Sequence, residues 1–264
     1  MVAKFEKLKL KFSYLNSNMT TNSQTKDVQS RHLFVQFFLK NQCVPERNLN
    51  AFVKELHHRF ASDKNFSAKD SMVTSANRIF RNYGFIIKKF FFNPNQTTYY
   101  ILMNEIDDSQ IRQNVWPQKD NSFFHLVIDS IVEKKSTSLS TNMDQDEIYT
   151  TNSQFRMGLK EAINLTGELN LPMIVGEKMI MNWIYEHWFC QINTGTITLG
   201  PRVLAEKADY LEQKHHLPKC SECYIICLGG HKCPDCLKFI HESCSDSLQK
   251  CIDCRTDLLL NQSI

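Results

Sequence analysis

The stretch from Cys220 to Cys254 carries eight of the chain's ten cysteines within thirty-five residues. Cys220 and Cys223, Cys233 and Cys236, and Cys251 and Cys254 are C-x2-C pairs, and His241 with Cys244 is an H-x2-C pair. Two intervening residues let the backbone turn tightly enough for both side chains of a pair to reach one ion, at roughly 2.3 Å for sulfur. Four pairs supply eight donors, enough for two tetrahedral zinc sites whose every position is a protein ligand. Such sites are structural, because no position is left for water or substrate, so no residue is named as catalytic. A domain of about forty residues cannot stabilise itself by core burial alone, so metal binding would be part of its folding free energy. Cys227, in the apolar run YIICLGG, reads as a small buried hydrophobe. His231 could serve as a ligand only by breaking a two-residue pair. The opening MVAKFEKLKLKFSYLNSNMTTNSQTK has no apolar run long enough for a secretory signal, and no segment is apolar enough to span a membrane. A reducing compartment is therefore expected, and there clustered cysteines bind metal more often than they form disulfides.

The ligand order, four cysteines, one histidine and three cysteines, resembles the RING and PHD zinc-finger families. Both use a cross-brace, in which the first and third pairs share one ion and the second and fourth the other. That resemblance implies Cys220, Cys223, His241 and Cys244 at one zinc, and Cys233, Cys236, Cys251 and Cys254 at the second. The six-residue gap SDSLQK before the last pair has no Trp, which favours RING over PHD. RING domains typically serve ubiquitin ligases by docking a charged conjugating enzyme and holding its thioester in a reactive pose. Their docking face uses a hydrophobic residue before the second cysteine and a Pro-hydrophobic pair inside the last C-x2-C. Here Glu222 and Ile252-Asp253 occupy those places. Ile225, Ile226, Leu228 and Ile252 could still form an apolar patch, the alternative being packing between the two sites. Ile225, Ile252 and Arg255 are thus the candidate contacts to a conjugating enzyme or ubiquitin. Arg255, directly after the last cysteine, matches the place where many active RINGs keep an Arg.

The elements that precede the finger have helical and strand signatures. HLFVQFFLK places Leu33, Phe34, Phe37 and Phe38 on one helical face, and NLNAFVKELHHRF repeats this with Leu49, Phe52, Val53, Leu56 and Phe60. A third stripe (Met72, Val73, Ala76, Ile79, Phe80) begins after a candidate cap at Ser67 and stops at Gly84. FIIKKFFF and TTYYILM flank NPNQ, a turn signal, so the unit ends in a hairpin. Three helices followed by a hairpin is the winged-helix plan. The plan recurs with helices in NSFFHLVIDSIVEK, TNSQFRMGLKEAI and LPMIVGEKMIMNWIYEHW, the last with Ile180, Trp183 and Ile184 inward. WFCQI and TITL then flank a wing turn at Gly195. Pro201 is placed to start a linker helix leading into the finger.

The predicted fold class is mainly α with small β wings, α+β. The segments are an N-terminal stretch 1–27 expected to be flexible, a first winged helix 28–105, a second at 106–200, the linker helix 201–219, the finger 220–255 and a tail 256–264. The finger and the winged helices are expected to have separate cores.

The net charge of +3 is unevenly spread. Residues 1–105 hold 16 Lys and Arg against 7 Asp and Glu, a net of +9, which leaves −6 for residues 106–264. That asymmetry points the first half toward an acidic partner or DNA, the alternative being solvated helix faces. Lys69, Arg78, Arg81, Lys88 and Lys89 are candidate phosphate contacts. No base-reading pattern accompanies them, so any DNA binding would be weak and sequence-independent.

Tandem winged helices running directly into this ligand order resemble the non-SMC element one family, a subunit of the five–six structural-maintenance-of-chromosomes complex. The most specific match is WFCQINTGTITLGPRVLAEKADYL, where Leu199-Gly200-Pro201-Arg202 and Glu206 resemble the family's L-G-P-R-x3-E junction. The resemblance covers roughly residues 28–255. It implies a nuclear RING-type ubiquitin ligase subunit acting in DNA repair and recombination, with two structural Zn2+. It also implies a MAGE-like winged-helix partner, a kleisin partner and a ubiquitin-conjugating enzyme. The alternatives are a non-enzymatic scaffold of the same complex and a PHD-like chromatin reader.

Overall fold

The computed structural model describes residues 23–60, 69–105, 117–138, 155–228, 231–245, 250, 251 and 253–256. The expectations for residues 1–22, the cap at Ser67, the contact at Ile252 and the tail 257–264 lie outside those residues. Two compact units are present, one up to Gln118 apart from the hairpin tip and one from Lys119 onward. Among the described residues no helix is long and apolar enough to cross a membrane.

The first unit runs α1 (Ser23–Asn41), β1 (Cys43–Pro45), α2 (Glu46–Phe60), α3 (Lys69–Arg81), β2 (Phe85–Phe92) and β3 (Thr97–Asn104). Its strand order is β1-β3-β2, all antiparallel. The three expected helical stripes converge on one core, in which Phe34, Phe38, Leu49, Leu56, Met72, Ala76 and Phe80 are buried. Strand β1 has no sequence signal beyond three residues; its backbone finds a ladder on β3, with Val44 opposite Tyr100. Strand β2 is at the edge, where unpaired backbone groups are costly if buried. Asn77 of α3 meets that need, its side chain donating to the Ile87 carbonyl at 3.1 Å and accepting from the Ile87 N–H at 2.7 Å.

The second unit repeats the plan with α4 (Gln118–Ser138), β4 (Met157–Gly158), α5 (Leu159–Asn164), α6 (Met173–Tyr185), β5 (Phe189–Asn193) and β6 (Thr196–Leu199). Its sheet order β4-β6-β5 mirrors the first, with the last strand again in the middle. Phe124 of α4 lies 5.1 Å from Trp183, 5.3 Å from Trp188 and 5.5 Å from Phe189 by ring centroids, an aromatic core of edge and tilted contacts. The helix expected over TNSQFRMGLKEAI starts only at Leu159. Met157 and Gly158 pair with Ile197 and Thr196 instead, and Thr198 donates its hydroxyl to the Phe155 carbonyl at 2.6 Å. Completing the sheet overrides helix propensity there. Ile180 and Trp183 are buried as expected, and Ile184 is half-buried.

The expected single linker helix is two helices, α7 (Pro201–Glu206) and α8 (Ala208–His215), broken at Lys207. Pro201 to Ala205 are all buried. This segment belongs to the body of the unit and is no free linker. The L-G-P-R-x3-E pattern has a physical reason at its Gly, Pro, Arg and Glu positions. A Cβ on Gly200 would sit 2.4 Å from the His187 carbonyl oxygen and 2.7 Å from Trp188 backbone, so only glycine fits. Pro201 occupies the first helical position, where its missing N–H costs nothing. The buried Arg202 guanidinium lies 3.8 Å from the centre of a Trp188 ring and bonds Glu206 at 2.7 Å.

On the outer side of α6, Ile174, Met181 and Tyr185 are exposed, Tyr185 by 83%. Their spacing places them on one helical stripe.

Candidate metal centre

The finger is built from three knuckles of one design. In each C-x2-C pair the residue following the second cysteine turns back and donates its N–H to the carbonyl of the first. Tyr224 bonds Cys220 at 2.9 Å, Leu237 bonds Cys233 at 3.0 Å and Arg255 bonds Cys251 at 3.0 Å. That closure requires positive φ, and the three residues have φ of 62°, 59° and 64°. None is glycine, so each knuckle holds a backbone conformation that costs an L-residue about 1–2 kcal/mol. A short hairpin of β7 (His231–Lys232) and β8 (Phe239–Ile240) flanks the second pair, and the four-residue α9 (Glu242–Ser245) carries Cys244.

These turns bring together Cys220, Cys223, His241 and Cys244 in one group and Cys233, Cys236, Cys251 and Cys254 in another, with all ligand atoms of a group within 4.8 Å of one another. Four donors on a tetrahedron at about 2.3 Å from an ion lie about 3.8 Å apart. Cys233 and Cys254 sulfurs lie 3.5 Å apart, and those of Cys236 and Cys251 3.6 Å. In the first group the Nδ1 of His241 lies 3.3 Å from the Cys223 sulfur and 3.9 Å from that of Cys244. Both groups therefore have the dimensions of a tetrahedral cage, and each could hold a metal ion. Cys227 and His231 join neither. Cys227 is fully buried in the small core with Cys220 and Ile240.

Which nitrogen of His241 faces the sulfurs follows from its other bond. Nε2 lies 3.1 Å from the Ile226 carbonyl, and a carbonyl only accepts, so Nε2 carries the proton and Nδ1 presents its lone pair. Within the first group, bonds from Cys223 and Cys244 pull the Cys220 thiol far below its usual range, while bonds to Cys220 and Cys244 drive Cys223 up. Four donors held this close compete for protons in a way that a bound cation resolves.

The candidate enzyme contacts divide. Ile225 is fully buried, as are Ile226 and, nearly so, Leu228. Of the two readings of this segment, an exposed patch or interior packing, these three residues are interior: Ile225 accepts the Cys220 N–H at 2.9 Å, which turns the segment into the first knuckle and away from solvent. Exposed apolar surface sits instead at Tyr224 and Leu237, 63% and 59% exposed. Each directly follows a second knuckle cysteine, a position that could have been singled out from the spacing. Arg255 is exposed, as is Glu222, and Asp253 is held by Lys238 at 2.6 Å.

Among the basic candidates, Lys69 is withdrawn from any phosphate role. Its ammonium bonds the Glu46 carboxylate and lies 5.3 Å from the centre of the Tyr100 ring. The bond from Lys69, against some burial, holds the Glu46 carboxyl below its ordinary range. Arg81 is exposed and lies 3.8 Å from Glu105. Arg78 and Lys89 are exposed, and Lys88 is half-buried on the edge strand.

An unexpected polar cluster joins α4 to α8. Asp129 accepts from Tyr210 at 2.5 Å, Lys214 at 2.6 Å and His215 at 2.7 Å. Burial, together with the bond to Asp129, pushes the Tyr210 hydroxyl up to about 12. The three partners come from a helix some eighty residues away, so no local spacing announced them.

The family model for the Nse1 non-SMC component of SMC5-6 complex matches residues 31–206. Among solved structures, a chain from an Nse1-Nse3-Nse4 complex superposes with a TM-score of 0.58 at 17% sequence identity, over 91% of this chain and 98% of that chain. At that identity the likeness is one of fold. No curated protein matches the chain.

Proposed function

Because the chain belongs to the Nse1 family of non-SMC components of the SMC5-6 complex, we propose that it is a RING-type ubiquitin ligase subunit of such a complex, nuclear and acting in DNA repair and recombination. The observation that carries this reading is the finger's two four-donor groups in cross-brace pairing. Zinc is the ion that fits them, because tetrahedral sulfur and imidazole donors suit it. Bound there, it would supply folding free energy and no reacting centre. The chain's own residues then act by positioning: the finger docks a ubiquitin-charged conjugating enzyme and orients its thioester for attack by a substrate amine. Arg255, exposed beside the second site, is the candidate contact to ubiquitin.

The winged helices are read as the partner-binding part. A solved relative in fold is described with Nse3 and Nse4, which supports a MAGE-like and a kleisin subunit as partners. The exposed apolar stripe of α6 is the kind of surface a protein partner covers.

Glu222 and the Lys238-bound Asp253 favour a second reading. Charge at the two usual docking places weakens a conjugating enzyme's hold, which leaves a scaffold stabilised by zinc. The test is ubiquitin-chain formation by the purified chain, alone and with its MAGE-like partner, across a panel of conjugating enzymes. Chain formation enhanced by the partner supports the ligase. Silence across the panel with metal-loaded complex rejects it for the scaffold.

A further inference from the structure

The two metal groups are attached to the rest of the molecule very differently. Ile226 lies between the first group and the helical body. Its carbonyl accepts the Nε2 proton of His241 at 3.1 Å, and its own N–H donates to the Leu204 carbonyl of α7 at 3.1 Å. The next residue, Cys227, donates to the Pro218 carbonyl at 2.8 Å. Lys219, paired with Ile226 as an isolated bridge, bonds Asp209 and Glu212 of α8 at 2.7 Å and 2.6 Å. Ile225, Ile226, Cys227, Leu204 and Leu211 are all almost wholly buried. The first group is thus wired through one residue, Ile226, into α7, which in turn carries Arg202 against Trp188.

The second group closes on itself. The bonds found for its four cysteines and for Lys238, Asp253 and Thr256 stay within residues 233–256. Cys254 is exposed and Cys236 half-buried, whereas no ligand of the first group is exposed.

We infer that the two sites do different work: metal at Cys220, Cys223, His241 and Cys244 is a latch that holds α7 and α8 in the second winged-helix unit, while metal at the second site orders only the outer half of the finger. This rests on the reading of the two groups as zinc sites. A chelator reaches the exposed second site first, and removing that ion leaves α7 and α8 undisturbed. Removing the first-site ion frees the His241 ring, unpins Ile226 and loosens the helices.

The experiment is stepwise chelation of the full metal-loaded chain, following metal content and amide hydrogen exchange together. The expected result is two separate release steps. Exchange at 233–256 should rise with the first step. Exchange at 201–215 and at Ile226 should rise only with the second, by about tenfold or more. Cys236→Ser should keep one ion and normal exchange at 201–215, and Cys223→Ser should raise exchange there even where the chain stays folded elsewhere. Simultaneous release, or unchanged exchange at 201–215 after both ions leave, overturns the latch while leaving the zinc sites intact. A chain that binds no metal when freshly purified overturns the zinc reading and the latch with it.

Discussion

His241 gives its Nε2 proton to the Ile226 carbonyl at 3.1 Å, so one side chain both faces the sulfurs of the first metal group and anchors the segment behind them. The two roles can be separated. His241→Cys would retain four donors without the bond to Ile226. It should still bind two metal ions but lose about 1–2 kcal/mol of stability, since the buried carbonyl loses its partner. Metal content and thermal unfolding read the two effects. Undiminished stability would mean the bond only orients the ring.

Gly200 admits no side chain. The nearest backbone atoms are 2.4 Å and 2.7 Å from where a Cβ would lie, and backbone cannot swing aside as a flexible side chain can. Gly200→Ala should destabilise by about 3 kcal/mol, the upper end for overpacked interiors. Gly167→Ala, with open space around it, should be nearly neutral by the same unfolding measurement.

The Asp129 cluster gives stability a defined pH dependence. Burial opposes ionisation of Asp129, but bonds from Lys214, Tyr210 and His215 outweigh it and hold its pKa below the ordinary 3.8. A depressed pKa contributes stability that is present above the unfolded value and lost as pH falls through the folded one. Lys214 is raised above 10.5, chiefly by its bond to Asp129, so its contribution is full below that value and lost as pH rises through its folded pKa. The link between α4 and α8 is therefore strongest between those limits. Asp129→Asn should cost about 2 kcal/mol at neutral pH, and the gap to the parent should shrink in acid below the ordinary Asp value. The difference between the two proteins carries the prediction, because acid titrates the remaining groups of both alike. A gap independent of pH would remove the carboxylate's charge from the explanation.

For DNA, the exposed Lys89 and its neighbour Lys88 remain the testable pair, while Lys69 belongs to the fold. Lys88→Glu with Lys89→Glu should weaken binding on all sequences alike and flatten its salt dependence. Lys69→Gln should lower stability and leave binding per folded molecule unchanged. Titrations at several salt concentrations, with unfolding curves alongside, distinguish the two. Equal loss of DNA binding from both changes would return Lys69 to the interface.

Arg255 closes the last knuckle at φ 64°, so alanine there would alter backbone preference no more favourably than arginine. Glycine accepts that φ freely and removes the side chain. Arg255→Gly should keep both metal ions and slow ubiquitin-chain formation by the partner-bound chain. A rate equal to the parent's would take Arg255 out of the proposed mechanism.

Much of this protein is legible in one dimension because its determinants are local. A C-x2-C spacing suits a knuckle, since two residues are what the turn needs. The stripes at Phe34, Leu49 and Met72 mark helix faces because a helix repeats every 3.6 residues. The turn at Gly195, with φ of 94°, is marked by the residue that tolerates it. What depends on distant residues was not legible. Local spacing cannot tell whether Ile225 faces solvent or core, because the Cys220 knuckle and the packing of the segment decide it. Lys69 reads as basic surface until Glu46, twenty-three residues earlier, is folded against it. The stretch after Pro201 has the pattern of one linker helix, yet five consecutive buried residues make its start part of the body. The finger has its own small core of Cys220, Cys227 and Ile240, as expected, yet its first metal group is tied to the body by bonds of the same distant kind. Backbone bonds from Ile226 to Leu204 and from Cys227 to Pro218 join peptide groups, which carry no residue-specific signature, so only the tertiary structure could place them.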